Sequence, residues 1–411
     1  MAKNNHSMFR NAAGQNYLLP FILIAMLYLL WGCAHGLLDV LNKKFQLVFD
    51  MSKGESGFIQ FSTYIAYFVM AIPAGLLLRK VGYKKGIISG LLLFALGAFA
   101  FIPAAFIGSP IAFLAALFIL ACGLTIIETG AHPYATSLGP EESAAQRINI
   151  AAAGNGVGLI IGPLIGGALI LGADPNDVMS LAKPYIFVGA AVLLVCLFLS
   201  FMKLPEIVPE SDDSAAEAGA KTSIWSHKHL KWAILAEFMY VGAQTGIFSF
   251  FINYVTELDP TISPEKASYL LGFGGMGLLF IGRLLSGIIM KWLRPSTLLA
   301  WFGILAAVCM ALVMMSLGQV SLYALYLSFF FMSMMYPTIF ALGVRGMGVH
   351  TKKASSYLVM SIVGGAVFPV LMGYIGESSI AMGFVLPLTA FVVIAGFALS
   401  QRKKQPASTT H

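Results

Sequence analysis

Twelve stretches long and apolar enough to cross a lipid bilayer fill this chain almost from end to end. A helix crosses the hydrocarbon layer in about 20 residues at 1.5 Å each. Such runs lie at 17–42, 57–78, 86–106, 110–138, 146–171, 184–202, 230–256, 266–290, 296–316, 320–342, 355–374 and 380–400. No charge separates the third run from the fourth, so the break falls on the turn residues Gly108, Ser109 and Pro110. The first run is too long for the apolar core of a cleavable signal and continues directly into a spanning pattern. Only 10% of the 411 residues are charged and 58% are hydrophobic, where soluble domains carry about 25% charged residues. One soluble core of this size needs more polar surface than the chain can supply. The expected class is an all-α, multi-spanning membrane protein. Four cysteines without regular spacing exclude a disulfide scaffold or a thiolate metal site. The net charge of +7 belongs to no compact basic domain, so no nucleic-acid partner is expected.

The basic residues orient the spans. With both termini placed in the cytoplasm, Lys3, Arg10, Arg79, Lys80, Lys84, Lys85, Arg147, Lys203, Lys221, Lys228, Lys231, Lys291, Arg294, Arg345, Lys352, Lys353 and Arg402 to Lys404 lie on the inner side. Only Lys43, Lys44, Lys53, Lys183 and Lys266 lie on the outer side. That asymmetry is the positive-inside pattern. The one long polar stretch, with Pro205, Pro209, Asp212 and Asp213, reads as a cytoplasmic linker between six-span halves. The expected organisation is a tail at 1–16, a bundle at 17–202, a linker at 203–229, a second bundle at 230–400 and a tail at 401–411.

Landmarks recur between the halves at nearly constant offset. Gly32 and Gly36 of span 1 match Gly242 and Gly246 of span 7. The basic loop opened by Gly75 matches the one opened by Gly287, and Pro133 with Leu138–Gly139 matches Pro337 with Leu342–Gly343. Two related six-helix bundles imply a transporter with a pseudo-two-fold axis, a central cavity and alternating access. In span 5, Gly154, Gly158, Gly162 and Gly166 share one helical face, a seam for close backbone approach. Gly364, Gly365 and Pro369 of span 11 are expected to do the same.

Ionisable groups inside the spans carry the functional signal, because a charge at the bilayer centre needs a cavity, a partner or a proton. Three acids lie there: Asp39, Glu128 and Glu237. His35, Asp39 and Asn42 form one stripe of span 1. Asp39 reads as a proton or substrate group, or as a carboxylate pinned by Lys43. Glu128 stands one turn before His132, and Pro133 frees a backbone carbonyl beside them. That niche can take protons or sugar hydroxyls, or be a structural polar pair. Each acid–histidine pair supplies two ligands on one helix and nothing nearby supplies a third, so no metal site is expected. Glu237 reads first as a structural ion pair with Lys231 or Arg283. Neutral hydrogen-bonding candidates are Gln244, Asn149 and Asn155. Trp31, Phe248 and Tyr336 could stack on a sugar ring or simply pack.

The strings WGCAHGLLDVLNKKFQ, IPAGLLLRKVGYKKGI, ETGAHPYATSLGP, FMYVGAQTGIFSFFINY and FMSMMYPTIFALGVRG together resemble the fucose–galactose–glucose proton symporters of the major facilitator superfamily, and among them the L-fucose permeases. The resemblance spans about residues 17–400. It implies the major facilitator fold and a bacterial inner-membrane importer of a neutral monosaccharide, with the proton as coupling ion and no other cofactor. It further implies proton coupling at Asp39 and Glu128, cavity positions at Gln244 and Asn155, and function as a monomer. The chain departs from the family pattern at Arg79, His35, Leu38 and Ala152, which bears on the choice of sugar. The alternatives are a glucose or galactose symporter, coupled to protons or sodium, and a membrane-embedded sugar sensor. No acid, base and nucleophile cluster as in an enzyme.

Overall fold

The computed structural model describes residues 9, 16–140, 143–174, 176–202, 223–290 and 292–402. The polar part of the expected linker, 203–222, lies outside the described residues. Among the described residues, twelve helices have the length and composition of spans. They are α1 (Leu18–Phe49), α2 (Lys53–Val81), α3 (Tyr83–Ile107), α4 (Pro110–Ser137), α5 (Ala144–Gly166, continuing through Gly167–Leu171), α6 (Val178–Phe201), α7 (Lys228–Leu258), α8 (Pro264–Ile289), α9 (Pro295–Met314), α10 (Gln319–Val344), α11 (Lys353–Ile375) and α12 (Ile380–Gln401). The break between α3 and α4 falls where expected, because Gly108 takes the left-handed conformation at φ +65° and Pro110 opens the next helix. Helix α1 runs past the expected end at 42. Lys44, just beyond the apolar run, is 1% exposed and its Nζ donates to the Asp174 carbonyl at 2.8 Å.

The chain divides into two compact units, Met1–Phe49 with Ile65–Glu210 and Asp50–Tyr64 with Ser211–His411. Within the first, α1 packs along α5, and α3 packs on α4 and α6. Within the second, α7 packs along α11, and α9 on α10 and α12. The same pairings recur between equivalent helices, which is the structural form of the sequence repeat.

The α1–α5 seam is built on glycine. A Cβ on Gly158 would run into the Leu29 carbonyl oxygen, and one on Gly32 into that of Asn155. A Cβ on Gly162 would meet the Cα of Gly36 at 2.8 Å. In lipid, where apolar side chains gain little by leaving the tails, such close backbone approach supplies the dispersion contacts that hold helices together. The α7–α11 pair repeats the device, with Gly364 against the Phe238 carbonyl and Gly242 under the Phe368 ring.

Residues 50–64 were expected in the N-terminal bundle but group with the second unit. Lys53 explains the placement. Its Nζ pairs with Glu257 at 2.6 Å and donates to the carbonyls of Gly376 and Glu377 at 3.0 and 2.9 Å. The Glu377 carboxylate accepts from the backbone N–H groups of Lys53 and Gly54, and Glu257 also accepts from the Ile380 N–H at 2.9 Å.

Helix α10 is interrupted at Ser333 and Met334. Pro337 has no N–H to give the Ser333 carbonyl one turn earlier, so the ladder opens there. The Arg283 Nε of α8 donates to that carbonyl at 3.4 Å, and the Tyr240 hydroxyl of α7 donates to the Met332 carbonyl at 3.1 Å.

Two outcomes follow from this packing. Gly158→Ala is expected to destabilise the purified protein by about 1–3 kcal/mol through overpacking, whereas Gly396→Ala, which meets nothing within 4 Å, stays within roughly 0.5 kcal/mol of the parent; thermal melting in detergent reads both. Lys53→Met is expected to speed amide hydrogen exchange in the 53–57 segment, and unchanged protection there would contradict the role given to Lys53.

Candidate functional site

Helix α1 of the first unit presents a single stripe to open space. Between Trp31 and Asn42 only Trp31 and His35 are half-exposed, while Asp39, at 3%, and Asn42 are buried. The spacing of four residues puts Trp31 and His35 on one face. There the Trp31 indole N–H points at both the His35 Nε2, at 3.1 Å, and the Tyr67 hydroxyl of α2, at 3.0 Å. The Tyr67 hydroxyl lies 3.4 Å from His35 Nε2 and also hydrogen-bonds the Glu128 carboxyl of α4. An indole N–H can only donate, so Nε2 accepts and the ring proton belongs on Nδ1. Tyr67 thereby joins the α1 stripe to the α4 acid in one polar network.

Glu128 is half-exposed. It is the one acid in a recess otherwise lined by Leu27, Tyr28, Trp31, Leu124, Ile127 and Ala131. The recess is small, and its apolar, aromatic wall converges on this carboxyl. On the same side the Asn155 amide reaches the Tyr28 carbonyl at 3.5 Å.

Deeper along α1, Asp39 lies within electrostatic reach of Tyr185 on α6. The Tyr185 hydroxyl is buried without a hydrogen-bond partner among the described residues, and its ring stacks on Phe101 at 3.9 Å. Asn42 is occupied by Gln46, whose Nε2 donates to it at 2.8 Å.

The second unit contributes fewer of the expected contacts. Between Tyr240 and Val255 of α7, only Gln244 is not buried, so its amide faces the available space. Phe248 is 7% exposed and stacks on Phe329 with centroids 5.0 Å apart, which makes it a packing residue instead of a sugar platform. Tyr336 is half-buried beside Tyr240, ring centroids 6.3 Å apart. The side chains of His132 and Asn149 lie outside the described residues.

The expected ion pair of Glu237 is not formed. Glu237 is fully buried and neither carboxyl oxygen has a hydrogen-bond partner among the described residues. Lys231 is exposed; six residues away, it leaves the helix on a different face. Arg283 is engaged instead with the Ser333 carbonyl. Among the described residues no group of histidine, cysteine and acid side chains is arranged to hold a metal ion.

Sequence reasoning missed Tyr67 and Tyr185, polar-tipped residues set among apolar neighbours in α2 and α6. A phenolic hydroxyl inside a span needs a partner, and that was the available signal.

The profile of the Major Facilitator Superfamily matches residues 17–360. This chain belongs to the Major Facilitator Superfamily. It is 37% identical over 414 residues to the L-fucose-proton symporter of Escherichia coli (strain K12), covering 94% of each chain. It is 30% identical to the glucose/galactose transporter of Brucella abortus biovar 1 (strain 9-941), over 96% of this chain and 97% of that one. The crystal structure of the transporter FucP in the outward conformation aligns with a TM-score of 0.68 at 37% identity, covering 95% of this chain and 100% of that one. A D-xylose-proton symporter aligns with a TM-score of 0.71 at 14% identity, covering 96% of this chain and 99% of that one, a likeness of fold alone. As a member of this superfamily the chain is a twelve-span membrane transporter and not an enzyme.

The Tyr67 network is testable by a double-mutant cycle. Tyr67→Phe and Trp31→Phe are expected to be non-additive, with a coupling of roughly 0.5–1.5 kcal/mol in melting experiments. Strict additivity would mean that the two side chains do not share a hydrogen bond.

Proposed function

We propose that this transporter imports a neutral monosaccharide, L-fucose first, by symport with protons across the bacterial inner membrane, with both termini in the cytoplasm. The observation that carries the reading is 37% identity along nearly the whole length to an L-fucose-proton symporter, joined to two carboxyls, Asp39 and Glu128, set in spans of the first unit. The basic residues crowd the loops on the side of the termini, which supports the orientation.

In this mechanism Asp39 and Glu128 are the proton carriers. The apolar face of the sugar rests on Trp31, and its hydroxyls compete with Tyr67 for Glu128. A protonated Glu128 both donates and accepts towards a hydroxyl, whereas a carboxylate only accepts. Loading a proton also removes a buried charge that opposes closure over a neutral sugar. Asn155 supplies a neutral amide for a further hydroxyl. Each half-cycle is a shift between two packings of the same helices, with no covalent step. The transporter works as a monomer within the bilayer and needs no cofactor beyond the proton. Glucose or galactose transport is the second reading, favoured by the 30% identity to the Brucella glucose/galactose transporter.

Uptake into proteoliposomes, across a panel of L-fucose, D-arabinose, galactose and glucose with and without an inward proton gradient, is the test. L-fucose is expected to accumulate above its external level only with the gradient, and replacing external sodium by choline is expected to change nothing. Asp39→Asn and Glu128→Gln are expected to lose accumulation by about ten-fold or more, the effect of about 1.4 kcal/mol or more of lost coupling. Wild-type accumulation in both variants would remove the coupling role from these acids.

A further inference from the structure

Glu237 of α7 is a buried acid that the mechanism above does not use. It is fully buried, and both carboxyl oxygens lack hydrogen-bond partners among the described residues. A carboxyl group has hydrogen-bonding capacity in either protonation state, and leaving it unmet in a dry interior is costly. A residue held at that cost, without a partner in one arrangement, points to a second arrangement in which it has one.

Its surroundings supply that partner. One turn along α7, Tyr240 lies within electrostatic reach of both the Glu237 carboxyl and the Arg283 guanidinium. Arg283 is held by a long bond, 3.4 Å, to the Ser333 carbonyl that Pro337 leaves open. The Ser333 hydroxyl is a third buried oxygen without a partner among the described residues. It stands 2.7 Å from the position of a Cβ on Gly282, so α8 and the α10 break meet closely at this niche.

The other elements packed on α7 bring few titratable groups. Tyr336 follows the α10 break and sits beside Tyr240. On α11, Lys353 is exposed and Tyr357 packs on Trp225; His350, just before it, packs near His227. Helix α12 carries no titratable side chain between Ile380 and Gln401. On α8, Glu265, Lys266 and Tyr269 lie in the first turns, far along the helix from Arg283. Arg283 is exposed but bonded to the Ser333 carbonyl, and it is the cation that shares Tyr240 with Glu237.

We propose that Glu237 is a third proton-exchanging carboxyl of the transport cycle and that Arg283 is its alternate partner, an inference that rests on the proton-coupled reading. In the present arrangement the guanidinium caps the Ser333 carbonyl and Glu237 holds its proton. In the other arrangement the Glu237 O–H bond breaks, the proton passes to water on the cytoplasmic side, and the guanidinium turns from Ser333 to neutralise the carboxylate. Turning the guanidinium toward Glu237 uncaps the Ser333 carbonyl, so the proton and the helix break report to each other.

Infrared difference spectroscopy of the protein in lipid bilayers, stepped from acid to alkaline pH, tests this without any sugar. The wild type is expected to lose a protonated-carboxyl band that Glu237→Gln does not show. Arg283→Gln is expected to keep the band at every pH, because the carboxylate then has no cation. Melting temperatures of both variants check that they are folded. Identical pH-difference spectra in wild type and Glu237→Gln, or normal loss of the band in Arg283→Gln, would overturn the proposal. Since the spectra need no transport, failure of L-fucose uptake with a titrating Glu237 band would count against the substrate reading alone.

Discussion

The absence of water in the bilayer interior is the constraint on which the rest of this structure depends. Every backbone group has to pair within its helix, and every charge needs a cavity, a partner or a proton. The chain meets the first demand with twelve helices and the second by admitting very few ionisable side chains to the spans. Helix association then cannot lean on the hydrophobic effect as it does in water. It rests on backbone contact, which is why glycine forms both the α1–α5 and the α7–α11 seams.

Where the helices depart from regularity, the departure has a local chemical cause. Pro337 withholds one N–H, α10 opens, and the exposed carbonyls of Met332 and Ser333 are taken up by Tyr240 and Arg283. In the first unit the comparable concentration of polar chemistry is the set of Trp31, His35, Tyr67 and Glu128. Each unit thus gathers an acid and a tyrosine with further polar partners from neighbouring helices.

The spans were legible in the sequence because the bilayer sets their length, and the Gly108–Ser109–Pro110 break because its turn chemistry is local. The glycine seam was legible through its period of four. Asp39 and Glu128 stood out because an acid in a span is rare enough to demand a reason. Contacts between helices were not legible. Tyr67 is one tyrosine among 15, and nothing in α2 alone says that its hydroxyl meets both α1 and α4. The assignment of residues 50–64 also depends on such contacts, since the partners of Lys53 lie more than two hundred residues away in the chain. The Glu237 ion pair failed for the same reason: nearness in sequence suggested Lys231, but helical geometry turns that side chain away, and the α10 break claims Arg283.

The central claim is that sugar and proton move together through this protein. It is tested most directly with a pH electrode in a weakly buffered, anaerobic suspension of cells expressing the chain. Adding L-fucose is predicted to make the medium transiently alkaline, as protons enter with the sugar, and a proton-conducting uncoupler is predicted to abolish the signal. Entry of labelled L-fucose with no change in external pH would contradict the account.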